Sequence, residues 1–185
     1  MISRTLKFLS IVLLCVPSPI LADGEYEIEV VKSERRLHLK RRGVIEKSYL
    51  ASWGRGGTGD KEQQGDKRTP EGTYRVVGLN RSKRFDFFIR LNYPNVKDAF
   101  KGYKRKAISH DQFKNILYAS QQQRLPPQNT VLGGAIGIHG IGVETPEKIR
   151  IHTNLNWTEG CIALRNSEVQ ELLRYIDIGT RVTIS

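Results

Sequence analysis

Short runs in which apolar and polar residues alternate constrain this chain more than any other feature. Alternation with a period of two is typical of strands that bury one face, and turn residues separate the runs. The runs are Tyr26 to Val31, the segment around Leu37 and Leu39, Val44 to Trp53, Thr73 to Leu79, Phe85 to Leu91 and Arg181 to Ser185. The apolar, glycine-dotted segment from Leu132 to His139 predicts a further, buried strand that ends at the histidine. The sequence therefore predicts a mainly β domain.

About three segments follow a helical period instead. In the first, apolar residues recur at i, i+3, i+4 and i+7, namely Val96, Ala99, Phe100 and Tyr103. The second begins with Ser109 and Gln112, which have the spacing of a capping box. The third begins with the same spacing at Ser167 to Gln170, ahead of an apolar stripe that ends at Ile176. We predict a helix in each segment.

Two segments lack either period. Residues 54–72 are rich in glycine and charge, and we interpret them as a surface loop because no P-loop pattern is present. The polar, weakly patterned segment between Gly140 and Trp157 is also interpreted as a loop.

Residues 1–22 have the anatomy of a secretory signal peptide. Arg4 and Lys7 form a basic start, Phe8 to Val16 form an apolar core too short to span a bilayer, and Ala22 ends a small-residue exit. A retained anchor is one alternative. Lipidation of Cys15 is another, although a bulky leucine stands before it where a lipid-transfer site needs a small residue.

We therefore expect one exported domain over residues 23–185, in the periplasm or cell wall and without a stable membrane span. Loss of Arg4 and Lys7 lowers the formal charge from +11 to +9. A basic exported protein meets anionic wall polymers rather than nucleic acid. Much of the surplus charge lies between Lys97 and Lys106, either as an ordinary solvated face or as a polymer-attracting patch.

Cys161 is the only cysteine left once residues 1–22 are removed, so it cannot form an internal disulfide. It is either an inert buried thiol or a nucleophile, and a nucleophilic thiol needs a nearby base. His38, His139 and His152 are the candidate bases. His38 lies in a basic strand and is expected to be exposed, and we favour His139 because glycines at a strand end permit close approach. One cysteine with scattered histidines lacks the ligand spacing of a zinc site.

Several motifs resemble the L,D-transpeptidase catalytic domain family, often called YkuD-like. They are Asp66-Lys67-Arg68-Thr69-Pro70-Glu71-Gly72-Thr73-Tyr74, Ile138-His139-Gly140, Thr158-Glu159-Gly160-Cys161 and the ending from Asn166 to Ile184. Residues 157–163 resemble a branch of the family with the pattern Trp-Thr-x-Gly-Cys-Ile-Ala. Many members have histidine where this chain has Glu159, and arginine or asparagine where it has Ala163.

The resemblance implies a mainly β sandwich or barrel domain without a metal or organic cofactor. It implies Cys161 as the nucleophile, His139 as its base, and the backbone of Gly160 and Cys161 as part of an oxyanion site. Substrate contacts would come from Gly140, Trp157, Thr158 and Arg165, with the Arg165 fork suited to a carboxylate. An exposed arginine at a helix entry is the alternative for Arg165.

The function implied is an exported cysteine L,D-transpeptidase that acts on peptidoglycan stem peptides. The acceptor stays open among a second stem peptide, a lipoprotein lysine and a free D-amino acid. Water as acceptor would make the protein an L,D-carboxypeptidase or endopeptidase. A non-catalytic, basic wall-binding domain is the alternative outside enzymology.

Overall fold

A computed structural model describes residues 25–185, so the predicted signal peptide and Cys15 lie outside the described residues. Within this range eight strands form one sheet, in the order β3-β2-β1-β8-β4-β5-β6-β7. They are β1 (Tyr26–Val31), β2 (Arg36–Arg41), β3 (Val44–Leu50), β4 (Gly72–Ser82), β5 (Asp86–Leu91), β6 (Gly137–Gly140), β7 (Ile162–Leu164) and β8 (Arg181–Ile184). The prediction of a mainly β domain is confirmed.

The two ends of this sheet meet. Strands β1 to β3 form an antiparallel meander, and β8 lies parallel to β1 and antiparallel to β4. At the other end β7 lies parallel to β6. Just after β3, Ser52 and Ala163 exchange two backbone hydrogen bonds of 3.0 and 2.7 Å. The sheet is thereby closed around one apolar core, to which strands from both ends contribute Leu37, Tyr49, Ile138, Ile162 and Leu164.

Four α-helices, one more than predicted, lie within residues 25–185. They are α1 (Val96–Lys104), α2 (His110–Gln121), α3 (Pro146–Asn154) and α4 (Asn166–Leu172). The unpredicted α3 corrects the loop interpretation of the segment after Gly140. Thr145 caps it by accepting a bond from the Lys148 amide, and Pro146 stands in the first turn. No helix in the described range is long and apolar enough to cross a membrane.

Two helices differ from prediction in detail. Helix α1 buries Asp98, Ala99 and Gly102, whereas Phe100 and Tyr103 are exposed. Asp98 is buried because its carboxylate accepts a 3.0 Å hydrogen bond from the Tyr74 hydroxyl. Helix α4 starts earlier than the predicted box of Ser167 to Gln170. Its first turn is closed by Glu168, whose carboxylate accepts a bond from the Arg165 amide at 2.8 Å.

Three further expectations need correction. The strand predicted from Leu132 shortens to β6, and the segment before it is irregular. His38 is buried rather than exposed, with its Nδ1 2.8 Å from the Ser48 hydroxyl. Residues 54–72 are only partly a surface loop, because Thr69 is completely buried. This burial brings the loop against the segment that carries Cys161.

Candidate active site

His139 lies on β6, and Cys161 stands immediately before β7, the strand that pairs with β6. Ile138 of β6 pairs with Ile162 of β7, and both side chains are fully buried in the core. Successive side chains along a strand point to opposite faces. His139 and Cys161, each next to one of the paired isoleucines, therefore lie on the opposite face of the sheet. The register thus brings together the two residues that the sequence singled out, although 22 positions separate them.

Gly160 turns the chain into Cys161 in a conformation that favours glycine. Its φ is +132°, in the region that side chains rarely adopt. A Cβ atom here would lie 2.8 Å from the carbonyl oxygen of Arg68. The glycine is therefore required both by its backbone angle and by the close approach of the glycine-rich loop.

Hydroxyl groups hold the peptide bonds on either side of Cys161. Thr69 donates from Oγ1 to the Gly160 carbonyl at 2.9 Å, and Thr158 donates from Oγ1 to the Cys161 carbonyl at 2.6 Å. Thr158 is buried, and its Oγ1 also accepts a bond from the Gly160 amide at 3.2 Å. The Thr158 hydroxyl is therefore hydrogen-bonded within the turn. The Gly160 N–H, which the resemblance assigned to an oxyanion site, is bonded to that hydroxyl.

The Cys161 thiol lies at a cavity of about 360 Å³. Lining residues include Asn80, Arg81, Phe85, Phe88, Arg90 and Ala135. The thiol donates to the Ala135 carbonyl, with Sγ 3.4 Å from the oxygen. Burial raises the pKa of Cys161 to about 11, opposed by a hydrogen bond with Gly137 and by the charges of Lys61 and Arg90. The thiol is therefore protonated at neutral pH and needs a base to become a nucleophile.

His139 has the properties of such a base. Its Nδ1 lies 2.8 Å from the Gly140 carbonyl oxygen. Because a carbonyl oxygen only accepts, Nδ1 carries the proton and Nε2 is left with a lone pair. Burial lowers the pKa of His139 to about 4, so the imidazole is neutral at pH 7. The ring stacks on Phe85 with centroids 4.0 Å apart, and Trp157 meets it edge-on at 6.1 Å.

Gly140 and Trp157, which the resemblance implied as substrate contacts, are both next to His139. Gly140 supplies the carbonyl that fixes the imidazole tautomer. A side chain at Gly140 would collide with the Asn166 amide and the Phe85 carbonyl, so this close packing depends on glycine. The part of Gly140 and Trp157 in substrate binding stays a prediction.

His152 is not in a loop, contrary to expectation, but is buried in α3. Its Nδ1 lies 3.1 Å from the Ser52 hydroxyl and 3.5 Å from the indole nitrogen of Trp157. Burial, with the charge of Arg35, lowers its pKa to about 4. Trp157 contacts both histidines, so His152 supports the wall behind His139 rather than the cavity at Cys161.

The charged residues on either side of Cys161 in the sequence form ion pairs with residues of other segments. Arg165 donates from Nε and Nη2 to the two oxygens of Glu144, at 3.2 and 2.8 Å. Its fork is therefore engaged by an internal carboxylate. Glu159, which stands where many family members have histidine, is exposed and forms an ion pair with Arg55. Within residues 25–185 no three or more His, Cys, Asp or Glu side chains are grouped as metal ligands.

The YkuD model, which describes the L,D-transpeptidase catalytic domain, matches residues 25–184. The chain belongs to this family. The family resemblance read from the sequence motifs is thereby confirmed for almost the whole described range. No curated protein sequence matches the chain.

Solved structures share the fold at low identity. Bd1075 of Bdellovibrio bacteriovorus is 23% identical with a TM-score of 0.54, and the match covers 89% of this chain and 49% of that one. Pgp2 of Campylobacter jejuni, a helical cell shape determining protein, is 20% identical with a TM-score of 0.55, covering 89% and 48%. An L,D-transpeptidase from Xylanimonas cellulosilytica is 14% identical with a TM-score of 0.52, covering 89% and 62%. The chain thus spans less than two thirds of each of these proteins.

Sequence reasoning about this transpeptidase-family domain missed two residues at the site. Thr69 stood within a recognised motif, but its contact with Gly160 joins positions 91 apart and has no local signal. Arg90 is one of 30 basic residues, and only the pairing of β5 with β6 brings it to the cavity of Cys161.

Proposed function

We propose that this domain is an exported cysteine L,D-transpeptidase that acts on peptidoglycan stem peptides. The single observation that carries the proposal is the pairing of β6 with β7, in which His139 lies opposite Ala163, two positions after Cys161, so that a thiol and a neutral imidazole lie on neighbouring segments of the sheet. The family membership adds the substrate class, since the matched model describes an L,D-transpeptidase catalytic domain.

Acylation in this proposal starts from a neutral thiol and a neutral imidazole. The Cys161 thiol gives its proton to Nε2 of His139 while Sγ attacks the carbonyl carbon that precedes the terminal D-alanine of a tetrapeptide stem. The C–N bond then breaks, and the D-alanine nitrogen takes the proton from the imidazolium as it leaves. A thioester between Cys161 and the stem peptide remains.

Transfer reverses the proton movements. An acceptor amine attacks the thioester carbonyl and gives a proton to His139, and the departing sulfur regains a proton from the imidazolium. Water in place of the amine would give a carboxypeptidase through the same steps. Burial holds the pKa of His139 at about 4, so the imidazole is neutral and has a free lone pair to accept the proton at the start of each step.

The backbone at Cys161 is suited to stabilise the oxyanion. Thr69 holds the Gly160 carbonyl, and in a trans peptide the following N–H points the opposite way. We assign the oxyanion contact to the N–H of Cys161, since the Gly160 N–H is donated to Thr158. Such a donor is typically worth about 10² to 10³ in rate.

The decisive experiment is covalent labelling with a carbapenem, followed by intact-mass measurement and peptide mapping. We expect one adduct on Cys161 in the parent protein and none in Cys161→Ala, with both proteins folded by circular dichroism. Parent protein should also release D-alanine from tetrapeptide-containing wall fragments. A domain that only binds the wall would show neither labelling nor release, and turnover by Cys161→Ala would exclude the cysteine mechanism.

A further inference from the structure

Arg90 lies in line with Cys161 across the sheet. On β5 it pairs with Gly78 of β4 on one side and with Gly137 of β6 on the other. Its neighbour Ile89 is fully buried in the core, so Arg90 lies on the opposite face, which is also the face of Cys161. Because both residues that pair with Arg90 are glycines, neither of them has a side chain that could cover Arg90 on this face.

The guanidinium of Arg90 borders the same cavity as the thiol. Both residues line the cavity of about 360 Å³. The guanidinium carbon lies 5.4 Å from the centre of the Phe88 ring, and that ring also stacks with His139 at 6.1 Å and 11°. Arg90 and the base are thus held against the same aromatic side chain. The charge of Arg90 is also close enough to oppose the burial-driven rise in the pKa of Cys161.

Arg90 has no carboxylate partner among residues 25–185, although it is partly buried. Several other arginines of the described chain are paired with carboxylates: Arg41 with Glu25, Arg55 with Glu159, Arg105 with Glu62, and Arg165 with Glu144. A partly buried guanidinium has five N–H donors, and its planar fork matches a carboxylate. The cavity beside the nucleophile therefore presents an unused carboxylate-binding group.

We propose that Arg90 binds the C-terminal carboxylate of the acyl donor, the one carried by the leaving D-amino acid. This inference rests on the proposed function, because it assigns a contact within the same site. In such a donor this carboxylate is three bonds from the scissile carbonyl carbon. A guanidinium lining the cavity of the attacked carbonyl is placed to bind it, whereas the Arg165 fork is engaged by Glu144. Arg90 then favours cleavage at a free C-terminus over cleavage within a longer chain.

The test compares a tetrapeptide that ends in a free carboxylate with the same peptide as its C-terminal amide. The parent should cleave the acid with a higher kcat/KM than the amide. In Arg90→Gln, kcat/KM for the acid should fall by about 10- to 100-fold, because a charge-assisted hydrogen bond is lost, while the value for the amide changes by less than about threefold. Arg90→Lys should retain part of the preference, since it keeps the charge without the fork.

Arg124→Gln is the matched control, because Arg124 is exposed beyond the end of α2 and should change neither rate. Equal losses on acid and amide in Arg90→Gln would mean a structural role, and no loss on either would mean no contact; both overturn the inference. A preference for the acid that survives in Arg90→Gln overturns the inference as well.

If the parent cleaves neither peptide and is not labelled by a carbapenem, the proposed function fails instead. If a carbapenem labels the parent but the parent cleaves the acid and the amide with equal kcat/KM, only the Arg90 contact is rejected.

Discussion

Thr69 donates a hydrogen bond of 2.9 Å to the carbonyl oxygen of Gly160, the residue immediately before Cys161. The same hydroxyl accepts a 2.9 Å bond from the amide of Gly54, at the other end of the glycine-rich loop. One buried side chain therefore fixes both the loop and the peptide plane that precedes the proposed nucleophile. The buried ammonium of Lys32 also holds this residue in place, by donating a hydrogen bond to the Thr69 carbonyl at 3.4 Å.

We predict that Thr69→Val slows acylation of Cys161 by a carbapenem by about tenfold or more. Valine has nearly the same shape but leaves the Gly54 amide and the Gly160 carbonyl without their partner, at a cost of roughly 1–3 kcal/mol for each buried group. Stopped-flow acylation and thermal unfolding measure the two effects. Thr180→Val is the control, since the Thr180 hydroxyl accepts a bond from the Asp177 amide in a distant turn. It should destabilise the fold without slowing acylation; parental acylation by Thr69→Val would contradict the prediction.

We predict that His139→Gln lowers the acylation rate by about 10² to 10⁴, the usual worth of a general base. His152→Asn should leave acylation within about tenfold of the parent, because His152 contacts Ser52 and Trp157 rather than the cavity. It should lower the unfolding temperature, because the side chain is buried. Acylation kinetics and thermal unfolding of both variants provide the measurement. A larger kinetic loss in His152→Asn than in His139→Gln would show that the base is wrongly assigned.

Stability should fall as the pH drops from about 6.5 towards 4. Burial lowers the pKa of His139 and of His152 to about 4 in the folded protein, whereas an unfolded histidine titrates near 6.5. In this window the unfolded chain binds protons that the folded chain does not. The free energy of unfolding therefore becomes smaller as the pH falls, by up to roughly 3 kcal/mol for each histidine. Below about pH 4 both states are protonated and this contribution levels off.

Urea unfolding between pH 4 and 7.5 measures this dependence. His152→Asn should show a shallower dependence than the parent, since one of the two buried histidines is gone. His110→Asn should follow the parent, because His110 is exposed at the start of α2. An unchanged pH dependence in His152→Asn would contradict the prediction.

The basic face near α1 is smaller than the sequence indicated. Lys97 and Lys101 both form ion pairs with Asp60, at 2.9 and 2.7 Å. Lys104 and Lys106 are exposed and form no ion pair with residues of the described range. Of the four lysines between Lys97 and Lys106, only Lys104 and Lys106 are therefore left as candidates for the predicted polymer-attracting patch.

We predict that Lys104→Gln/Lys106→Gln weakens binding to intact wall sacculi at low salt, with little change in turnover of a soluble tetrapeptide. Such attraction is screened over about 8 Å at physiological salt, so the difference should fade as salt rises. Sedimentation with sacculi across a salt series gives the measurement, and Lys101→Gln serves as the paired-lysine control. Equal sedimentation of the double variant and the parent at low salt would mean an ordinary solvated face.

The sequence predicted the parts of this fold whose apolar period is visible locally. It predicted most of the strands because their side chains alternate between core and solvent. It missed α3 because the one residue that α3 buries is His152, so the helix has no apolar stripe. It misjudged α1 because Asp98 is buried by a partner, Tyr74, that lies 24 positions away.

In the candidate site, too, residues with a local sequence signal were predicted, whereas contacts between distant segments were not. Gly160 and Cys161 are adjacent in sequence, so the sequence alone could suggest them as part of a nucleophile site. The partner of Arg165 is Glu144, 21 positions earlier in a segment interpreted as a loop, so the engagement of this arginine had no local signal. The alignment of Arg90 with Cys161 depends on the register of β5, β6 and β7, which no single segment contains.

The closure of the sheet at Ser52 and Ala163 limits how a peptide donor can bind. One edge of β7 is occupied by β6 and the other by the backbone of Ser52. A stem peptide therefore cannot join the sheet as an added strand beside the nucleophile, the mode in which main-chain bonds supply affinity regardless of sequence. It has to lie across the open face and be recognised through its own side chains and charged ends. Selectivity in this domain should accordingly be changeable by single substitutions on that face, with the backbone left as it is.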